Sequence, residues 1–355
     1  MTYHVHLARS RLRFGVEPGE TVLAAGQRQG LALPFGCQGG TCASCRVRLL
    51  EGTVEHDPEP HALSQAEIDA GYILMCQARP TSDLELSLHQ PERLEQLRPR
   101  QLPVRLLERW MLSHDVVGLS VQLPHGEPFR YLPGQYVDFL LDDGRRRSFS
   151  IANAASPADT LEFHLRVTPQ GWFAHYAQEQ MAPRAILRLE GPLGAFYLRE
   201  GEADSFADVR GTAAPPNTRP VVMMAGGTGF APLKAMLEHQ FRAGLPRPFH
   251  LFWGARSRRD LYLHALAQDW ARQHPQLRYT PVLSEPDADW TGERGLVHEA
   301  VLRAHPDLTG HEVYMAGPPA MVHAGKQAFV DAGLDADHLY YDSFDYAFET
   351  WPKLG

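Results

Sequence analysis

Cysteine is scarce in this chain, with only Cys37, Cys42, Cys45 and Cys76 among 355 residues. So few thiols do not make a disulfide framework, a chain this long needs no such staples, and nothing at the N-terminus reads as a secretory signal. Long apolar runs are missing too. The longest, such as VVMMAGGTGFAPL and YLPGQYVDFLL, are broken by Gly, Pro or Asp well short of the roughly 18 residues a membrane span requires. There is no surplus of basic charge: the net charge is -8, which argues against nucleic acid as the default partner. Internal repeats and low-complexity tracts are lacking. A content of 44% hydrophobic and 21% charged residues then predicts a globular chain of two or three domains. It is expected to be a cytoplasmic monomer bound to neither membrane nor nucleic acid.

What cysteine there is, is concentrated. PFGCQGGTCASCRVRL holds three thiols spaced C-x4-C-x2-C, and GYILMCQARP holds the fourth, so every thiol belongs to one constellation. Structural zinc sites usually pair short C-x2-C knuckles, whereas this spacing followed by a distant single cysteine is the plant-type [2Fe-2S] pattern; zinc is the rival reading. Gly36, Gly39 and Gly40 let backbone N–H groups approach thiolates closely, with Thr41, Ala43 and Ser44 as small spacers. A glycine-rich turn with incidental cysteines is the bland alternative. The stretch resembles plant-type ferredoxin domains, written C-x-x-G-x-C-x-x-C, with Gly40 at the family's glycine. The resemblance covers about residues 1 to 90 and implies a β-grasp domain.

Polar, proline-bearing stretches at 88–103 and 199–220 read as linkers. They delimit expected domains at 1–92, 99–200 and 215–355. The middle segment offers six strand-like runs (VRLLERWML, VGLSVQL, QYVDFLL, RSFSIAN, LEFHLRVT, ILRLEGPLG) and one helix near WFAHYAQEQM, the pattern of a small antiparallel β-barrel. Three motifs in it resemble the FAD-binding domain of the ferredoxin-NADP reductase superfamily. RSFS matches R-x-[YF]-S, YLPGQYVDF matches P-G-Q-[YF], and GPLGAFYL matches G-P-x-G-x-[FY]. The resemblance implies that Arg147 neutralises the flavin pyrophosphate, Phe149 lies against the isoalloxazine ring and Ser150 bonds near flavin N5, with Ser148 in the same cofactor strand. A surface charge after the DDG turn is the bland reading of Arg147. The family's pyrophosphate loop, G-G-x-x-[ST], is QGWFA here: Gly171 is kept, while Gln170 and Ala174 replace the first glycine and the hydroxyl residue.

From 219 to 345, apolar runs at 220–225, 249–254, 277–283, 312–316 and 338–342 alternate with helical periods such as Leu233, Met236, Leu237 and Phe241. That rhythm predicts a doubly wound parallel sheet with ligands beyond the carboxyl ends of its strands. MAGGTGFAPLKAM has the strand-glycine-helix form of a phosphate site, through Gly226, Gly227, Thr228, Gly229 and Pro232. It resembles the superfamily's G-G-T-G-x-[AT]-P, and YMAGPPAMV, with Gly317 and Pro318, resembles its C-G-P-x-x-M. The usual cysteine is Ala316 here, a departure that bears on how the nicotinamide ring is held.

The order ferredoxin, flavin barrel, nicotinamide domain resembles the single-chain reductases of bacterial multicomponent oxygenases and the related CDP-6-deoxy-delta-3,4-glucoseen reductases, over nearly the whole chain. It implies electron flow from NADH through FAD to a [2Fe-2S] cluster and on to an oxygenase component or, as the alternative, a deoxysugar dehydratase component. A non-turnover redox-sensing module is a further alternative. The same resemblance implies that Phe344 covers the flavin face, with Phe348 and Trp351 as rivals. Cofactor choice turns on two strand ends. WGARSRRD presents Arg256, Arg258 and Arg259, suited to the extra phosphate of NADPH, whereas VLSEPD places Glu285 after Ser284, where a carboxylate accepts from ribose hydroxyls and repels a 2'-phosphate. NADH is expected over NADPH, with Arg256 on the pyrophosphate common to both.

Overall fold

Along β1 (Tyr3–Leu7), Val5 and Leu7 alternate with His4 and His6, and the apolar pair is fully buried, the period-two signature of a sheet with one covered face. The computed structural model describes residues 2–8, 12–31, 33–35, 38–40, 43, 45–57, 60, 62–88, 99–126, 129–155, 158–169, 171–200, 217–244 and 246–344. Two compact units result: Met1–Arg100 with Pro192–Ala195 and Arg199–Asn217, and Gln101–Gly191 with Phe196–Leu198 and Thr218–Gly355.

In the first unit, β2 (Arg13–Val16) pairs antiparallel with β1. Helix α1 (Val22–Arg28) starts at Thr21, whose hydroxyl accepts from Ala24 N at 3.3 Å, and it buries Val22, Leu23 and Ala25. There follow β3 (Arg46–Glu51), β4 (Val54–His56), α2 (Gln65–Asp69), β5 (Tyr72–Leu74), β6 (Ala78–Pro80) and β7 (Leu84–Ser87). The main sheet runs β2-β1-β7-β3-β5, with β1 and β7 parallel and the other pairs antiparallel. This is the β-grasp arrangement expected from the sequence. A capping box joins Ser64 to Glu67 at the start of α2, and the other Glu67 oxygen takes a 2.7 Å bond from Arg46, so the short helix is pinned to β3.

The second unit opens with β8 (Arg100–Met111), which begins inside the stretch read as a linker, and β9 (Val116–Gln122), β10 (Tyr136–Leu140), β11 (Arg146–Ser150) and β12 (Thr160–Arg166) follow. Helix α3 (Trp172–His175) passes directly into a π-helical turn, Tyr176–Gln180, before β13 (Ile186–Leu193). The six expected strands form one sheet, β11-β10-β13-β8-β9-β12, over a core in which Phe139 meets Phe163 at 5.1 Å and Phe173 at 5.3 Å between ring centres.

The same unit continues as β14 (Val221–Gly226), α4 (Phe230–Ala243), β15 (Phe249–Ala255), α5 (His264–Gln273), β16 (Leu277–Leu283), β17 (Glu293–Arg294), α6 (Val297–Ala304), β18 (Glu312–Gly317), α7 (Pro319–Asp331) and β19 (Leu339–Ser343). All are parallel in the order β17-β16-β15-β14-β18-β19. Every residue of β14 and β18 is buried, because the sheet is covered on both faces. The two-residue edge strand β17 is an addition to the five strands expected. Most of the second linker, 201–216, lies outside the described residues. No described helix is long and apolar enough to cross a membrane.

Candidate functional site

In the first unit the hairpin logic of β3 and β5 brings two of the four cysteines together. Met75 N donates to Cys45 O at 3.1 Å, so Cys45 and Cys76 lie on neighbouring chain segments. Cys37 and Cys42 lie outside the described residues. Gly40 adopts φ +81, a conformation that disfavours side chains, and a Cβ there would run into the carboxamide of Gln77. Two free cysteines on hydrogen-bonded neighbouring segments, next to a loop whose glycine is held open, fit the donor set of an iron-sulfur cluster.

In the second unit, alternation along β11 divides the RSFS stretch between two faces. Phe149 packs half-buried on Phe173 (5.5 Å) and Phe139 (6.0 Å), on the same side as Arg147, whose Nη1 donates to the Arg146 carbonyl. Ser148 and Ser150 take the other side. The Ser148 hydroxyl donates to Asp138 at 2.6 Å, and that of Ser150 to Asp342 at 3.5 Å. The two serines therefore differ in setting: one meets a barrel carboxylate, the other the last strand of the parallel sheet. Ahead of α3, Gly171 N donates to Thr168 O, Trp172 stacks on Tyr176 at 5.2 Å, and the Arg145 guanidinium lies 5.4 Å over the Trp172 ring. Gln170 lies outside the described residues.

The glycine loops of β14 and β18 meet backbone to backbone. A Cβ on Gly229 would collide with the Ala316 carbonyl, and one on Gly226 would come within 2.6 Å of Met321 Sδ and 2.8 Å of Pro318 Cδ. Gly227 sits at φ +54, with its carbonyl accepting from Trp253 Nε1 at 3.0 Å. Thr228 lies within this turn, and Pro232 is in the first turn of α4, where its missing N–H is no loss. Phe344 N donates to Gly317 O at 2.9 Å, which fixes Phe344 beside the second loop. Phe348 and Trp351 lie outside the described residues. The structure thus gathers Ser150, Asp342, Phe344, Gly317 and the loop from Gly226 to Gly229 at one end of the parallel sheet, the end where such sheets bind ligands. Arg256 and Glu285 share that end: Glu285 N donates to Arg256 O at 2.8 Å, and both side chains are exposed. Arg258 is engaged with Asp289 at 3.2 Å and lies over the Trp290 ring, and Arg259 is 76% exposed.

A buried polar seam joins barrel and parallel sheet. Lys234 Nζ, in α4, donates to Ala152 O at 2.9 Å and pairs with Glu238 at 2.8 Å and Glu162 at 3.3 Å. Burial pushes the Glu162 carboxyl up, but the bond from His164 and the charge of Lys234 outweigh it and hold the group below the usual carboxylate range. Burial holds His164 below its ordinary value, more than Glu162 restores. The neutral imidazole therefore donates from Nε2 to Glu162 and accepts at Nδ1 from Tyr262, whose hydroxyl burial keeps protonated.

Sequence reasoning missed Asp342 and Arg166. Arg166 pairs with Asp115 at 2.9 Å, and its Nη1 lies 3.0 Å from where a Gly227 Cβ would stand. Neither sits in a motif, and only the fold brings them to the site.

Comparison with known proteins matches this geometry domain by domain. The 2Fe-2S iron-sulfur cluster binding domain matches residues 5–81, the oxidoreductase FAD-binding domain 103–197, and the oxidoreductase NAD-binding domain 223–327. The chain is 33% identical over 344 residues to the CDP-6-deoxy-L-threo-D-glycero-4-hexulose-3-dehydrase reductase of Yersinia pestis, covering 97% of this chain and 99% of that one. It is 32% identical to the reductase component DmpP of phenol 2-monooxygenase from Pseudomonas sp. (strain CF600), covering 97% and 95%. Among solved structures, the Amycolatopsis cytochrome P450 reductase GcoB superposes with a TM-score of 0.71 at 31% identity, covering 97% and 99%. FAD, a [2Fe-2S] cluster and a nicotinamide dinucleotide are accordingly the cofactors of an NAD(P)H-dependent oxidoreductase. With all three domains in this order and such relatives along 97% of its length, the chain belongs to the family of single-chain ferredoxin reductases that carry iron-sulfur, FAD and NAD-binding domains.

Proposed function

We propose that the protein is the reductase component of a two-protein system, taking electrons from NADH and delivering them, through its iron-sulfur domain, to an oxygenase or hydroxylase component. The observation that carries this reading is the meeting of Ser150 and Asp342, which sets the flavin strand against the last strand of the nucleotide sheet. FAD supplies the chemistry of accepting two electrons as hydride and releasing them singly. The chain's own residues bind and align. Arg147 neutralises the flavin pyrophosphate, Phe149 lies against the isoalloxazine ring, Ser150 presents its hydroxyl to the flavin edge, and Phe344 covers the face that the nicotinamide must reach. Gly171 and the glycine turn ahead of α4 receive phosphates. Arg256 touches the dinucleotide pyrophosphate and Glu285 accepts from its ribose hydroxyls. Cys37, Cys42, Cys45 and Cys76 hold the cluster, within domains proposed at 1–92, 99–200 and 215–355.

A second reading, delivery to a deoxysugar dehydratase, is favoured by the 33% identity to a dehydrase reductase. Capture of partners from the native host on the full-length holoprotein, followed by NADH-driven reduction of each captured component, separates the two. An oxygenase reduced at the expense of NADH supports the first, a dehydratase the second, and no reducible partner removes both. Replacement of Cys76 by serine should empty the cluster site while NADH still reduces the flavin; unchanged iron content would defeat the ligand assignment.

A further inference from the structure

Next to Cys76 stands a side chain with no task in the reading above. Gln77 is 7% exposed, its Oε1 is buried, and among the described residues no hydrogen-bond partner satisfies that oxygen. Among the described residues its side chain makes no hydrogen bond at either end. Buried carboxamides are normally bonded, and one that is not points to a ligand group it was shaped to meet. Gln77 N donates to Leu74 O at 2.9 Å, which closes the turn after β5 and fixes the residue's backbone beside Cys76. On the other side, a Cβ on Gly40 would lie at nearly equal clashing distances from Cδ, Nε2 and Oε1 of Gln77. Near-equal approach to all three atoms means the amide plane lies face-on against Gly40, so its N–H bonds, which lie in that plane, are directed away from Gly40. Which edge of the amide carries nitrogen is an assignment made by partners, and sulfur anions need a donor.

We propose that Gln77 is a tuning residue of the iron-sulfur site: its carboxamide donates an N–H to the sulfurs gathered at Cys45 and Cys76 and so raises the potential at which the cluster accepts an electron. The inference rests on those cysteines being ligands. Reduction adds one electron to the cluster and its negative charge is carried largely by sulfur, so a donor there favours the reduced form. The neighbouring Gln38 is exposed, with φ 55, and has no such enclosure.

Gln77→Met keeps length and apolar bulk but removes the donor. In an EPR-monitored redox titration of the full-length holoprotein, the variant should be reduced with an equilibrium constant about tenfold smaller, ~59 mV for a one-electron step. An unchanged potential in the cluster-replete variant would overturn the proposal, because a purely space-filling glutamine predicts that result. Should Gln77→Met fail to load its cluster, wild-type protein carrying 15N only in glutamine side-chain amides decides the matter by pulsed EPR of the reduced cluster. A coupled 15N that persists in Gln38→Ser supports Gln77; no coupling refutes it. Full iron content in Cys76→Ser would instead sink the ligand reading and Gln77 with it. Loss of iron there, with no 15N coupling in wild type, would leave the ligands standing and remove Gln77 alone.

Discussion

Glu285 and Arg256 hold opposite charges on adjoining strand ends, tied by one backbone bond, and the proposed dinucleotide choice rests on them. A carboxylate that accepts from ribose hydroxyls repels a 2'-phosphate, and a difference of ~1.4 kcal/mol is already tenfold in selectivity. Wild type is expected to show a higher kcat/KM for NADH than for NADPH, and Glu285→Arg to shift that ratio at least about tenfold toward NADPH. Measured preference of the wild type for NADPH would contradict this. Phe344→Ala should slow hydride transfer and perturb the flavin absorption bands; stopped-flow traces and spectra identical to wild type would remove Phe344 from the flavin face. The three cofactor domains were legible because the chemistry of their cysteine, glycine and RSFS motifs demands particular residue types at fixed spacing. Asp342 was not. It reaches Ser150 across 192 positions, and nothing local to YYDSF marks it out from the alternation of an ordinary strand.

At the scale of elements, the two glycine loops depend on each other. With no room for a Cβ between Gly229 and the Ala316 carbonyl, Gly229→Ala must push β18 and α4 apart at their shared end. Overpacking of this kind costs about 1–3 kcal/mol, felt at the loop proposed to receive the dinucleotide phosphates. The variant is expected to keep its flavin and lose most NADH affinity, as read by NADH titration of the flavin-loaded protein; wild-type affinity would show that the loop tolerates the methyl group. The barrel strands and the five long parallel strands were legible because their periods and turn residues recur over several residues each. Two features were not. β17 is too short to show any period, and the winding change after His175 is set by a distant partner: Met181 N reaches back to Tyr176 O, leaving Ala177 O to accept from Arg109 at 2.9 Å. A local pattern of apolar residues carries no record of such a guanidinium.

For the whole molecule, acid is a lever. His250 is buried in the nucleotide sheet, its Nδ1 2.8 Å from His305 Nε2 and its Nε2 2.9 Å from Thr280 Oγ1. Burial first, then the charges of Arg278 and His305, lower its pKa from its ordinary 6.5 to about 3. An imidazole depressed in the folded state keeps its full stabilising effect above pH 6.5 and loses it as pH falls toward 3, by at most about 1.4 kcal/mol per unit. The thermal midpoint should therefore fall more steeply below pH 6.5 in wild type than in His250→Gln, and parallel slopes would acquit His250. The seam around Lys234 makes a separate demand. Lys234→Met strands Glu162 and Glu238 without their cation, at a cost of about 3–5 kcal/mol, and is expected to lower both the melting temperature and the rate of flavin reduction. Retention of both values would mean the seam is dispensable. Because the Lys234 side chain is only 6% exposed, mobile ions hardly reach that cation. Ionic strength thus becomes a way to separate the two halves of turnover: the reduction of bound FAD by saturating NADH should stay flat as salt is raised, while delivery to the proposed partner protein is expected to be steered by exposed charges and to fall.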